Sequence, residues 1–503
     1  LTVTDQIRGF ARPGPAPATP AGAGLAQGTA LKARLPLPAL VYLLTVVLTI
    51  GFRLGPLYMT TLRLFLIVMI VPLMLRLLSG AYGRVFVTDI LFVLHILWAA
   101  AAIGVNNPDQ VVQQVGSVGI EFLGGYVVGR AYIRTPETFA ALCRILIVMV
   151  LCSVPFALHE TLTGRPLIVE LLRKLPGMTS VAIVSIESRM GLERVQAVFA
   201  HPIHYGLFCS VAFSLCFVAL RGAISDARRY VTSAVIAATG FLALSSGALT
   251  AIAMQIGLIA WASMFREVRQ RWWLLIGLFV LMYLAIDLLS NRSPLQVFMS
   301  YATFSAHNAY WRAQIFEWGL ANVIGSAEKD IVGSPLTGIG LNDWVRPHYM
   351  YSGSMDNFWL VMTVRYGLPG FFFLAVGYVV AIARIMRRDF EQDARLTLFR
   401  RAWVFTFLGL TFTLCTVHVW SNIYSFIFFM FGAGMWLITV PPGAGADQPT
   451  APVASSATRF AARRGDAPRT ADTPAPARPD GQTPAGGMPY SRFPPRHPPR
   501  DRS

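Results

Sequence analysis

The sequence predicts an all-α polytopic membrane protein of about twelve transmembrane helices, on the strength of composition, unbroken apolar runs and a one-sided distribution of arginine. Apolar residues make up 55% of the 503 residues, and mean hydropathy is +0.55, more than a water-soluble globule of this length carries. The runs are continuous over the roughly 20 residues that a helix needs to cross the hydrocarbon core, without the weak alternation of a membrane barrel. Spans are expected near 38–54, 57–78, 86–104, 111–130, 137–158, 198–220, 230–247, 248–265, 272–290, 357–386, 400–418 and 421–440. The stretch 230–265 is one long apolar run interrupted only by Ser245-Ser246-Gly247, which reads as a very short turn between two spans.

Even span number puts both termini on one side, and Lys32, Arg34, Arg76, Arg84, Arg130, Arg134, Arg221, Arg228, Arg229, Arg266, Arg269, Arg271, Arg384, Arg387 and Arg388 then fall on that side. By the positive-inside rule it is the cytoplasm. The opposite short loops carry no Lys or Arg, with Arg53 the exception, and two longer loops, 159–197 and 291–355, face outward. The expected organisation is a disordered N-terminus over 1–37, a membrane domain over 38–440 and a disordered tail over 441–503; both ends are rich in Pro, Ala and Gly, and the N-terminal stretch lacks the apolar core of a cleavable signal peptide.

The formal charge of +17 follows from this flank bias and the Arg-rich tail, so it does not call for nucleic acid. All five cysteines lie in expected spans, where a thiol acts as a small apolar group, and no disulfide is expected. There is no C-x-x-C pair, H-E-x-x-H helix, carboxylate cluster or phosphate loop. No metal or cofactor is expected, and no internal repeat of the transporter kind is visible.

Chemistry at a membrane surface needs polar groups held at span ends, which directs attention to the outer loops. The first ends in Gly191-Leu192-Glu193-Arg194-Val195-Gln196 and enters a span through His201-Pro202-Ile203-His204-Tyr205-Gly206. His201 and His204 share a helix face if the helix has begun there; Arg194 is a binding arginine or an interfacial anchor. The second contains Trp311-Arg312, then Ser334-Pro335-Leu336-Thr337-Gly338-Ile339-Gly340, and leads into Asp356-Asn357-Phe358-Trp359 and Tyr366-Gly367-Leu368-Pro369-Gly370.

These motifs, in this order and on this side of the membrane, resemble the O-antigen ligase and O-antigen polymerase superfamily of bacterial envelope glycosyltransferases, which includes exopolysaccharide and capsule polymerases. The resemblance covers roughly residues 40–440 and includes Leu244-Ser245-Ser246-Gly247-Ala248. It implies a C-type membrane glycosyltransferase bundle in the cell inner membrane, with a cavity beneath a long helical outer loop. It also implies a metal-independent reaction in which a glycan on undecaprenyl diphosphate passes to an acceptor hydroxyl of another glycan, with inversion. Guanidinium groups suit a diphosphate leaving group because they bind it bidentately. Arg194 is the first candidate for that clamp and Arg312 the second, unless Arg312 pairs with Glu317 or Glu328. Arg365, within a span, completes the site or snorkels.

Two departures bear on the activity. Asp356 stands where ligases of the family carry a histidine, and Ser246 where they usually carry an arginine. The Asp-Asn pair resembles that of exopolysaccharide and capsule polymerases. Asp356 is a candidate base with Asn357 orienting the sugar, or it is a helix N-cap; His307 and His348 are alternative bases. Gly338 and Gly340 permit a tight turn and a close approach of backbone to ligand. Trp311, Trp318, Trp344 and Trp359 stack on sugars or sit at the interface; Arg63, His95, Glu121, Arg144 and Asp287 pair within the bundle or line a lipid groove. The expected function is polymerisation of lipid-linked repeat units on the outer face of the inner membrane, with other export components as further partners. The alternatives are ligation of a finished glycan to lipid A core or another acceptor, and transport or flipping of lipid-linked sugars.

Overall fold

The computed structural model describes residues 33–444 apart from 55–56, 185–186, 292–293, 295–296, 298–305 and 391, and the side chains of 54, 57 and 306–309. The expected disordered ends therefore fall almost wholly outside the described residues, as does the start of the second outer loop.

Helix dominates. In chain order the elements are α1 (Leu37–Val47), the hairpin strands β1 (Gly51–Leu54) and β2 (Leu57–Thr60), α2 (Thr61–Leu78) and α3 (Val87–Asn106). There follow α4 (Pro108–Tyr132), α5 (Pro136–Thr163), α6 (Leu167–Arg173), α7 (Pro202–Ala219) and α8 (Asp226–Phe241). The chain continues through α9 (Ser246–Met264), α10 (Arg271–Leu289), α11 (Ala306–Ile324), α12 (Phe358–Met386), α13 (Ala394–Leu414) and α14 (Ser421–Ile438). Starts follow local chemistry: Thr60, Thr135, Ser245 and Asp393 each accept a backbone N–H of the first turn, and Pro136 and Pro202 occupy the opening positions where no N–H is required.

Among the described residues nine helices are long and apolar enough to cross a membrane, namely α2 to α5, α7, α9, α10, α12 and α14. The other three expected spans are helices that differ from these. α8 has 16 residues, and α13 has 21 with Arg400 and Arg401 in its first half. The expected span 38–54 is a correction: α1 stops after 11 residues and the chain turns into an antiparallel hairpin with Gly51 opposite Thr60. Hydropathy cannot separate a short helix and an apolar hairpin from a single span. The hairpin is fixed by partners far away in sequence, since Gly51 and Thr179 exchange both backbone hydrogen bonds at 2.7 Å. The break near Ser245 is as expected, with α8 and α9 joined by 242–245 and Leu244 at φ 45°.

α7 and α14 form the buried centre and no residue of α10 is buried. α4 and α14 touch through backbone: a Cβ at Gly129 would strike the Phe429 carbonyl and one at Gly432 the Tyr126 carbonyl, the small-residue packing by which membrane helices associate. Two ion pairs lie inside the bundle among the described residues of α2, α3 and α4. Arg63 and Glu121 meet at 2.8 Å, and buried Arg130 lies 3.6 Å from Asp89, which also accepts from Tyr126. Chain direction places 189–201, 242–245, 334–357 and 415–420 at one end of the helices and 220–225, 265–270 and 387–393 at the other.

Candidate functional site

The site is organised by a break in α12. Gly367 takes φ 70° and ψ −178°, and Pro369 two residues later has no N–H to give, so carbonyls and amides of the turn lose their helical partners. The loop 334–341 replaces them: Ile339 N–H donates to Val364 O at 2.8 Å, Gly340 N–H to Arg365 O at 3.1 Å, and Leu368 N–H to Pro335 O at 2.8 Å. From the other side α3 donates Trp98 Nε1–H to Tyr366 O at 3.0 Å, and His95 Nδ1 bonds Gly370 O at 2.7 Å. Backbone approaches backbone so closely that a Cβ at Gly338 would strike the Val364 carbonyl, and one at Gly367 the Leu336 carbonyl, with both residues at positive φ. The two sequence motifs 334–340 and 366–370 are thus halves of one joint. Asn107 Oδ1 accepts Leu341 N–H at 2.7 Å, and Asn322 pins Val345 by accepting its N–H at 2.8 Å while donating to its carbonyl at 2.9 Å.

Against this joint lies a cavity of about 330 Å³ lined by Gly340, Asp343, Trp344, Ser354, Arg365 and His418. Trp344 is buried and held by its Nε1–H donating to Gly353 O at 3.0 Å. Next to it, Ser354 Oγ–H donates to Asp356 at 3.3 Å. Asp356 is exposed, whereas Asn357 is buried and is the N-cap of α12, accepting Leu360 N–H at 3.0 Å. The reading of Asp356 as cap is therefore corrected: the asparagine one residue on fits the cap because its oxygen reaches N3, which leaves the carboxylate available and Asn357 occupied.

The second part of the site is cationic. Met190 and Gly191, both at positive φ, make a tight turn closed by Arg189 and Leu192, whose backbones exchange hydrogen bonds at 3.0 Å. Buried Glu160 then accepts the Gln196 and Ala197 amides at 2.8 and 3.0 Å. This clamp carries two arginines to the α8–α9 turn, where Arg189 donates to Leu244 O at 2.8 Å and Arg194 to Ala243 O at 3.4 Å. Burial and the neighbouring Arg189 lower Arg194 to about 10, which leaves it charged at neutral pH. Arg312 is also held below the ordinary arginine value, chiefly by burial; Asp356 opposes the shift and Arg189 adds to it. No ion pair joins Arg312 to Glu317, which instead meets Lys329 at 2.8 Å, so the expected Glu317 pairing is corrected. Arg312 Nη1 is buried with no hydrogen-bond partner.

Histidines connect the two parts. His201 caps α7, its Nδ1 accepting Ile203 N–H at 3.1 Å, and burial together with Arg194 and Arg189 lowers it to about 4. Buried His204 packs edge-on against Trp420 at 4.1 Å between centroids, and His418 stacks on the same indole at 5.7 Å. Burial, with Arg365 nearby, pushes His418 down to about 3, and its Nδ1 is buried without a partner. The His201 and His418 rings are neutral at pH 7, suited to hydrogen bonding rather than to carrying charge.

Arg189 is thus within electrostatic reach of Arg194, His201 and Arg312, and Arg312 of Asp356, while Arg365 and Gly340 line the adjoining cavity. Gly338 belongs to the joint rather than the cavity wall. His348 is exposed beside Tyr349, and the His307 side chain lies outside the described residues. Sequence reasoning missed Arg189 and His418. Arg189 sits in the middle of a loop with no motif of its own; the tight Met190-Gly191 turn before the Arg194 motif was the only available signal. Among the described residues no group of His, Cys, Asp and Glu is placed to hold a metal ion. No protein-family model, curated protein or solved structure matches this chain.

Proposed function

We propose that the protein is a glycosyltransferase that polymerises lipid-linked polysaccharide repeat units at the outer face of a bacterial inner membrane. The observation that carries this reading is the convergence of Arg189 and Arg194, on one clamp, with Arg312 of α11; all three are half-buried, and Arg312 has a guanidinium nitrogen left unpaired. A buried Arg312 donor without a partner, among arginines of the same sign, favours an anionic ligand, and a planar fork matches diphosphate oxygens. In the reaction the acceptor hydroxyl oxygen bonds to the anomeric carbon as the bond to the diphosphate oxygen breaks. The arginines stabilise the charge that develops on the diphosphate, and Asp356 takes the hydroxyl proton. The cavity beside Trp344, Arg365 and His418 supplies an aromatic face and neutral or cationic donors for a sugar.

A transporter would use a broken helix such as α12 to bind its cargo through freed backbone groups. Here those groups are occupied by the 335–340 loop and by α3, which favours a rigid joint. The deciding experiment measures glycan chain length in a deletion strain complemented with wild type or Arg194→Ala, after checking membrane levels. Single repeat units in the deletion and the variant support polymerisation. Accumulated long lipid-linked polymer identifies a ligase, and unchanged glycan rejects the enzyme reading.

A further inference from the structure

At the opposite end of the bundle the inner ends of α7, α10, α12 and α13 enclose a second cavity, of about 680 Å³. Seven arginines line it, among them Arg221, Arg271, Arg388 and Arg401, against a single carboxylate, Asp389, among the described lining residues. The positive-inside bias accounts for arginines near span ends, but not for their convergence on one concavity from four separate elements. Arg401 is half-buried and faces Arg271, Arg400 and Arg221, all of its own sign. Arg388 is anchored by donating to Val440 O, while its Nε is buried with no hydrogen-bond partner. Like charges held in a partly desolvated cavity repel more strongly than in water, and a multivalent anion relieves that repulsion while satisfying the unpartnered Arg388 Nε.

We infer that this cavity is a binding site for an anion carrying two phosphate groups. One phosphate accepts from two guanidinium forks, and the number and spread of the arginines call for a second. The wall beside Trp272 bears on the source. Trp272 opens α10, a helix of nineteen residues with none buried, so the cavity borders a face open to lipid chains. Basic pockets between membrane helices take phosphorylated lipid headgroups on the same principle. The shared chemistry is a diphosphorylated anion, either the headgroup of a lipid or a free diphosphate.

The test uses the full-length protein purified in detergent. It is titrated with inorganic diphosphate and, separately, with mixed micelles of diphosphatidylglycerol or of phosphatidylglycerol at matched phosphate. Thermal unfolding and native mass spectrometry are the readouts. We expect diphosphatidylglycerol to raise Tm and remain bound, and Arg221→Gln and Arg401→Gln each to weaken this at least about tenfold. Arg76→Gln, an exposed arginine outside the cavity, should change nothing. Arg401→Lys keeps the charge and should retain most of the binding, and exposed Arg387→Gln reports on the site if Arg401→Gln does not fold. Binding of inorganic diphosphate alone, lost in the same variants, supports the site with a soluble ligand. Equal responses to both lipids with no diphosphate binding, or binding unchanged by these substitutions, overturn it.

Discussion

The two ends of the bundle both gather arginine, but they hold it differently. At one end Arg189 and Arg194 arrive on a short clamp fixed by Glu160 and the α8–α9 turn, and Arg312 comes from α11 within electrostatic reach of Asp356. Few charges are positioned through many hydrogen bonds. At the opposite end seven arginines from helix ends and loops face one aspartate among the described lining residues. Positioned charges suit a reaction, where misplacement by an ångström is costly, whereas a concentration of charge suits retention of an anion. Number of arginines alone therefore says little about which end does chemistry.

The largest effects expected from breaking this contrast are at the end that holds Arg194 and Arg312. Arg194→Ala and Arg312→Ala should each lower the transfer rate by about 10² to 10³ at unchanged membrane level, with Lys only partly restoring it. Asp356→Asn should reduce transfer by a comparable factor of about 10² or more without altering thermal stability, because the cap belongs to Asn357. Equal losses of stability and transfer would return Asp356 to a structural role.

Next in size is the joint. Gly338→Ala or Gly367→Ala should destabilise the fold by about 1–3 kcal/mol through positive φ alone, with more from the clash against Leu336 or Val364 backbone, seen as low folded yield in size exclusion. Asn357→Ala should cost about 1 kcal/mol and Asn357→Ser, which keeps a capping oxygen, much less, read as a Tm difference between the two variants.

The smallest expected effect concerns pH. His201 and His418 are held neutral in the fold at about 4 and about 3, while in the unfolded chain each takes up a proton near 6.5. Below pH about 6.5 the unfolded state binds more protons, so their contribution to stability is complete above that pH and is lost as it falls toward 4. His201→Asn keeps a capping side chain without the titration and should flatten the fall in Tm between pH 6.5 and 4.5. An unchanged slope would show that His201 is not desolvated.

Much of the fold was legible because helix-forming apolar runs of about twenty residues are a short-range property of the sequence. The Ser245 break could be read in the same way. The first span could not, because α1 and its hairpin have the apolarity of a single helix, and only the bonds between Gly51 and Thr179 separate them. At the site, motif position pointed to Arg194, Arg312, Arg365 and Asp356, and to the glycines of 334–340. It could not assign the cap to Asn357 instead of Asp356, since both are good cap residues one position apart.

What the amino-acid sequence determined by itself is the mostly helical membrane architecture and the residues that carry charge or turn the chain next to its spans, because hydropathy, proline and glycine act within a few neighbours. What only the tertiary structure decided is which of those charges face one another. Arg189 joins Arg194 and Arg312, His418 joins Arg365, and the 334–341 loop fills the break in α12, since hydrogen bonds and Coulomb fields act between groups that are close in space whatever their separation along the chain.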